Sequence, residues 1–220
     1  MADKKKEPVV VIGLGRFGTA LALELTREGT EVLAIDSRQR VVQDLTGQLA
    51  HVVTADATDL EALNQLGVPD FYRAVVAIGG DLEASVLTTS LLMELEIEDI
   101  WAKAVSLQHG RILERMGAHH VVFPEHDMGE RIAHLVSGGV IDYVELGTDF
   151  AVVQTHAPRE LVGATLDDAV LRERFNVSAV GIKRQGEDFD LVPADTVLLY
   201  DDDILVAGKI RDIEKFAERV

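Results

Sequence analysis

The chain contains no cysteine, so disulfides, thiolate catalysis and cysteine-held metals are excluded, as suits a reducing compartment. Positive charge is scarce. Against 38 Asp+Glu stand 21 Lys+Arg, a formal net charge of −17. The one basic run is Lys4-Lys5-Lys6, and the basic stripe of a nucleic-acid binder is missing. No apolar run approaches the roughly 18 residues that cross a bilayer, and the opening residues lack the apolar core of a signal peptide. A Walker Gly-x-x-x-x-Gly-Lys-Ser/Thr is absent too, which argues against P-loop ATP hydrolysis. These absences predict a soluble, cytoplasmic protein with no nucleic-acid partner. With 220 residues, 47% of them apolar, the chain can bury a proper core in one large domain or two small ones.

The densest signal runs from Val9 to Asp36. Apolar Val9 to Ile12 and Leu14 frame Gly13, and Gly15 and Gly18 complete Gly-x-Gly-x-x-Gly between a strand-like and a helix-like run. The first glycine permits a tight turn, the second lets backbone approach a phosphate, and the third lets the helix sit close to the sheet. Unpaired N–H groups at the helix start favour an anion. Asp36, ending the second apolar run, can accept from both hydroxyls of an adenosine ribose. That disfavours a 2′-phosphate, although Arg38 stands nearby. Arg16 lies inside the loop, where it either reaches the end of a phosphate chain or faces solvent. Lys103 ends an apolar strand and faces the ligand crevice or water. Together they suit a triphosphate better than the single pyrophosphate of NAD.

The remaining chain alternates in the same rhythm. Strands are expected at His51–Thr54, Ala74–Ile78, Ile100–Val105 and His120–Phe123, with helices over Arg38–Leu49, Leu60–Leu66, Asp81–Leu95 and Leu107–Met116. Such alternation predicts an α/β, Rossmann-like, doubly wound parallel sheet with ligands beyond the carboxyl ends of the strands. A helix follows from Glu125 to Val136, with Met128, Ile132, Leu135 and Val136 on one stripe. Gly138-Gly139 breaks it, and Val140–Leu146 is expected to resume it. From about Phe150 short strands and helices suggest a small α+β lobe. The expected division is a disordered tail over 1–7, a nucleotide-binding lobe over 8–124, crossover and dimerisation helices over 125–148, and a C-terminal lobe over 149–220.

Other constellations carry less chemistry. His126, Glu130 and His134 share a helix face but lack a His-Glu-x-x-His pattern, and such sets are ordinarily solvated. His109 and the pair His119-His120 are expected to cap or cover element ends. His156 sits beside Ala157-Pro158 without a partner signature, so the second lobe offers no evident proton-transfer pair.

Several runs taken jointly resemble a known family. Gly13-Leu14-Gly15-Arg16-Phe17-Gly18, Asp36, Ala55-Asp56-Ala57-Thr58, Val76-Ala77-Ile78-Gly79, Trp101-Ala102-Lys103-Ala104 and Pro124-Glu125-His126-Asp127-Met128-Gly129 resemble the signature of RCK proteins, regulators of potassium conductance. The likeness is to the cytosolic subunits of bacterial Ktr/Trk potassium transporters and covers nearly the whole chain. It implies a non-enzymatic, nucleotide-binding homodimer assembled into an octameric ring beneath a membrane K⁺-translocating subunit, attached to the inner face of the cell membrane through that partner. ATP or ADP would be the ligand, with NAD(H) a further option. The implied contacts are Arg16 at the terminal phosphate, Asp36 at the ribose, Asp56, Ala57, Thr58 and Ile78 around the adenosine, and Lys103 near the phosphates. Gly13, Leu14, Gly15, Phe17, Gly18, Ser37, Arg38 and Gly79 complete the candidate set. Glu125 would lie near Mg²⁺ or another cation, reaching the pocket of a neighbouring subunit; read locally, it is a helix-opening acid favoured by the dipole. Some relatives bind cyclic di-AMP in the C-terminal lobe. Arg172 and Arg174 offer charge there, whereas Asp167, Asp168 and Glu173 oppose it. The alternatives are an NAD-dependent oxidoreductase on the same fold and a stand-alone nucleotide sensor.

Overall fold

The computed structural model describes residues 6–166, 168–193 and 195–220. Residues 1–5 of the expected tail, Lys4 and Lys5 among them, lie outside the described residues, as does Asp167. Lys6 is described, and its Nζ pairs with Glu28 at 2.8 Å. The chain divides into two compact units, with the boundary between Glu125 and His126.

The first unit runs β1 (Val9–Ile12), α1 (Arg16–Arg27), β2 (Val32–Asp36), α2 (Gln39–Leu45), β3 (His51–Thr54), α3 (Leu60–Gln65), β4 (Arg73–Val76), α4 (Leu82–Glu94), β5 (Asp99–Lys103), α5 (Leu107–Arg115) and β6 (His120–Val122). Its sheet has the order β3-β2-β1-β4-β5-β6, and every pairing is parallel. That is the doubly wound order, which reverses direction between β1 and β4. Alternation in β1 explains its central place. Val10 and Ile12 join Ile35, Val76 and Ile100 in one core, while Val9 and Val11 join Val32, Ala34 and Val75 in the other. Successive side chains of a strand face opposite ways, so a run of four valines and isoleucines suits a strand covered on both faces.

Capping sets where the helices begin. Asp59 opens α3 by accepting from Glu61 N, Asp81 opens α4 by accepting from Ala84 N, and Ser106 opens α5 by accepting from His109 N. Helix α2 is shorter than the expected Arg38–Leu49, because Arg38 and Thr46 are extended and bound it.

After α6 (Pro124–Ser137) the second unit runs β7 (Asp142–Glu145), β8 (Phe150–His156), α7 (Asp168–Phe175), β9 (Val177–Lys183), β10 (Asp203–Lys209) and α8 (Ile210–Ala217). Its antiparallel sheet has the order β7-β8-β10-β9. The helix expected to resume over Val140–Leu146, within the helical stretch 125–148, is instead strand β7. Gly138 and Gly139 take φ of +93° and +78°, which ends α6. Beyond them β8 supplies a pairing edge, Tyr143 opposite Val153 and Asp142 opposite Gln154. Asp142 is further held by Arg131 at 2.6 Å, and Tyr143 stacks on His134 at 4.1 Å. A short apolar run fits either period, and the long-range partner decides.

Behind the second sheet, Phe216 is 1% exposed and meets Phe175 edge-on at 5.3 Å, among Leu171, Ile204, Val206 and Ile213. Phe216→Ala is expected to lower stability by about 3–5 kcal/mol. Chemical denaturation followed by circular dichroism checks this, and an unshifted midpoint contradicts it.

Candidate functional site

The glycine loop is fixed by close backbone contact. A Cβ on Gly18 would lie 1.9 Å from the Gly13 carbonyl oxygen, so α1 starts closer to the loop than any side chain allows. Gly13 itself has φ +94°, and a Cβ there would lie 2.9 Å from Ile78 Cγ1. Gly15 differs, since a Cβ there would meet nothing within 4 Å. It opens α1 without a side-chain cap, and the first turn carries no acid. The first N–H groups of α1 are therefore left to an external acceptor.

Asp36 closes the loop from the end of β2. Its Oδ2 accepts from Leu14 N at 2.7 Å and from Arg38 Nη2 at 3.0 Å. Its Oδ1 accepts from Arg38 N at 2.8 Å and Arg38 Nε at 2.9 Å. Burial pushes the carboxyl pKa up, but the Arg38 side chain, the Arg38 amide and the Leu14 amide together pull it below the ordinary carboxylate range. The group is thus ionised and held.

Between these elements lies a cleft of about 370 Å³. Gly13, Gly15, Asp36, Ser37 and Arg38 form one side, and Asp56, Ala57, Thr58, Ile78 and Gly79 the other. Asp56 Oδ1 accepts from Thr58 N at 2.9 Å and Thr58 Oγ1 at 2.7 Å, which lowers the Asp56 pKa and fixes the turn. Leu14 contributes its amide rather than its side chain, and Gly18 underlies the loop.

Arg16, Phe17, Lys103 and Glu125 are not among the residues lining the cleft. Lys103 is 8% exposed, and its Nζ pairs with Glu125 Oε1 at 2.5 Å and lies 5.8 Å from the centre of the Phe17 ring. A Cβ on Gly79 would lie 3.3 Å from that Nζ, so the pair adjoins the cleft wall. Lys103's hydrogen bond is the main cause of a lowered Glu125 pKa, and the charge of Arg16 adds to it.

Ile12, Ile35, Ala55, Ala77, Gly80, Asp81, Ala84 and Thr88 also line the cleft and were not in the candidate set. Thr88 Oγ1 donates to Ala57 O at 3.2 Å, tying α4 to the turn after β3. The available signal was the spacing Asp81, Ala84, Thr88, a cap followed by small residues on one helical face.

The remaining histidines sort differently. His126 approaches Glu130 at 3.6 Å while His134 stacks on Tyr143, and no cluster of three or more metal-type ligands occurs among the described residues. His109 is buried, which lowers its pKa, and its Nδ1 accepts from Val105 N at 3.3 Å. His119 Nδ1 accepts from Ile100 N at 3.0 Å, covering a strand start. His156 does have a partner, contrary to the sequence reading: its Nδ1 lies 2.7 Å from Asp203 Oδ1, beside a cavity of about 570 Å³ in the second unit. The two residues come from paired strands β8 and β10, a proximity no local pattern announces. Arg172 donates to Ser178 Oγ at 2.8 Å, and Arg174 lies 3.4 Å from Glu160 and over the Phe175 ring.

A doubly wound sheet with a glycine loop and a held acid at the end of β2 defines a Rossmann-type fold, here followed by a small α+β unit. The TrkA-N domain matches residues 9–124 and the TrkA-C domain residues 151–220. The chain belongs to the RCK-type family that joins these two domains. It is 40% identical to Ktr system potassium uptake protein C of Bacillus subtilis (strain 168) over 98% of each chain. The GsuK RCK domain structure covers 100% of this chain at 17% identity, with a TM-score of 0.67, and this chain spans 49% of that one. GsuK bound to ADP covers 61% of this chain at 26% identity, with a TM-score of 0.52, and this chain spans 35% of it. No helix among the described residues is long and apolar enough to cross a membrane.

Two glycines of one motif should respond unequally to a methyl group. Gly18→Ala is expected to cost about 2–4 kcal/mol, since the clash is with backbone. Gly15→Ala should cost about 1 kcal/mol at most. Equal denaturation midpoints for the two variants would contradict the packing described.

Proposed function

We propose that the chain is the regulatory, non-enzymatic subunit of a potassium uptake system, binding ATP or ADP in the first-unit cleft and passing nucleotide state to a membrane K⁺-translocating partner. The observation that carries the reading is the Asp36 carboxylate, held at the mouth of an uncapped glycine loop. Similarity to a potassium uptake protein along 98% of both chains supports the transport role. On this reading the uncapped amides of α1 take the phosphates, Arg16 meets the terminal one, and Asp36 takes the ribose. NAD(H) shares the adenosine half and competes for the same cleft. The working form is a homodimer assembled into an octameric ring, cytoplasmic and held at the inner membrane face by its partner. Such a regulator acts through differential affinity of ligand for two shapes, not through turnover.

Isothermal calorimetry with ATP and ADP tests the reading. Asp36→Ala removes charge-assisted hydrogen bonds worth about 1.5–3 kcal/mol, so both nucleotides should weaken by about tenfold to a hundredfold. Unchanged affinity in a folded variant sinks the assignment.

Glu125 adds a cation to the reading. A carboxylate beside a triphosphate is repulsive unless a cation intervenes, and Mg²⁺ commonly binds one or two carboxylates together with phosphate oxygens. Lys103 already pairs with Glu125, so Mg²⁺ would share or replace that partner only when the terminal phosphate completes its shell. Glu125→Gln should abolish the Mg²⁺ enhancement of ATP affinity and leave ADP affinity nearly intact. Titrations with Mg²⁺ and with chelator decide this; a full enhancement in the variant leaves Glu125 a helix-opening acid.

A further inference from the structure

The Asp36 carboxylate is fully subscribed. An ionised carboxylate offers about four acceptor positions, and four N–H donors lie on this one within 2.7–3.0 Å. Two of them, Leu14 N and Arg38 N, belong to the backbone and cannot leave without unfolding the loop. The other two are Nε and Nη2 of one guanidinium. The Arg38 side chain is 61% exposed, while that of Asp36 is 4% exposed. Among the described residues the guanidinium is hydrogen-bonded to Asp36 alone. Arg38 is thus the one movable donor on a fixed acid.

A ribose diol also brings two donors, its 2′ and 3′ hydroxyls, to the same two oxygens. We propose that Arg38 is a built-in competitor for the ribose diol, and that a nucleotide engages Asp36 only by displacing its guanidinium. This inference rests on the nucleotide reading above and adds a residue that limits affinity. Both ion and diol need the cleft-facing lone pairs, and the carboxylate cannot accept six donors. The displaced guanidinium re-enters water, where an exposed cation is well solvated, so displacement costs a fraction of the pair's gross attraction. The site therefore exchanges one pair of donors for another, and affinity falls by the fraction of time that Arg38 holds the acid. As the ribose leaves, the tethered guanidinium closes on Asp36 again and opposes rebinding.

The contrast between ATP and 2′,3′-dideoxy-ATP isolates the effect. The dideoxy compound has the same base and phosphates but no diol, so it makes no demand on Asp36. Removing Arg38 also leaves the acid unneutralised near phosphates, and that repulsion weakens both compounds alike. The ratio of their affinities cancels it. Calorimetry on wild type, Arg38→Ala and Arg38→Lys, each confirmed folded by circular dichroism, supplies the numbers. The ATP preference over dideoxy-ATP should rise by about three- to tenfold in Arg38→Ala, the worth of an exposed two-bond pair. Arg38→Lys, which cannot span both oxygens, should fall between. A preference unchanged in both variants overturns the proposal. A preference that falls overturns it as well, and makes Arg38 a direct contact to the diol. Failure of ATP to bind wild type and variants alike at millimolar concentration overturns the nucleotide reading itself, and this inference falls with it.

Discussion

The contact between Gly18 and the Gly13 carbonyl governs the first unit. With no side chain between them, α1 starts almost on the backbone that leaves β1, and its uncapped amides lie over the point where strand order reverses. A larger residue would push the helix outward and carry those amides away from the crevice. Gly13 adopts positive φ to turn the chain, Leu14 then presents its amide, and Asp36 accepts it across 2.7 Å. Three consecutive elements, β1, α1 and β2, are thereby joined by backbone contact and one carboxylate. A buried charge is costly unless its hydrogen bonds are complete, and Asp36 meets that condition by drawing on the loop it stabilises.

Charge poses the next problem. A chain with net charge −17 is ill suited to attract a polyanion. The cations near the cleft are few, and two of them, Arg38 and Lys103, already hold acids of the same chain. Ligand binding at such a site is an exchange of partners rather than the filling of a bare positive patch. On the proposed reading, ribose hydroxyls would compete with Arg38 for Asp36, and phosphate with Glu125 for Lys103. Such exchange would lower affinity but make the outcome sensitive to which groups a ligand carries, as the proposed discrimination between nucleotides requires.

How far the sequence was legible follows from the range of the interactions. The strands of the first unit and the turn residues Gly13, Asp36, Asp56 and Gly79 could be placed because buried parallel strands are short apolar runs punctuated by turns. Each cleft residue found this way ends a strand or follows it within three residues. Those missed, such as Ala84 and Thr88, sit inside α4, where a small residue facing a cleft looks like one facing a core. Strand β7 was read as helix because Val140–Leu146 fits both periods, and only β8, beyond the turn, chooses between them. His156 seemed alone because its partner Asp203 is neighbouring in the sheet and remote in the chain. Lys103 and Glu125 were each picked out singly. Their ion pair depends on β5 and the start of α6 ending side by side, which spacing along the chain does not encode.

The protonation pattern of the site agrees with the regulatory reading proposed above. Acid–base chemistry near neutral pH needs a group poised to give and take a proton, usually a carboxyl pushed up or a histidine left near its ordinary range. Asp36, Asp56 and Glu125 are all shifted the other way, because donors already occupy them. A carboxylate with a lowered pKa is a weak base and stays ionised through the physiological range. The residues lining the cleft include no histidine. The Thr58 hydroxyl donates to Asp56 Oδ1 in the turn that Asp56 closes. Such a set offers fixed acceptors and exchangeable cations, which suits the recognition proposed above. On the proposed reading, binding in two states rather than turnover would account for acids that are satisfied instead of poised.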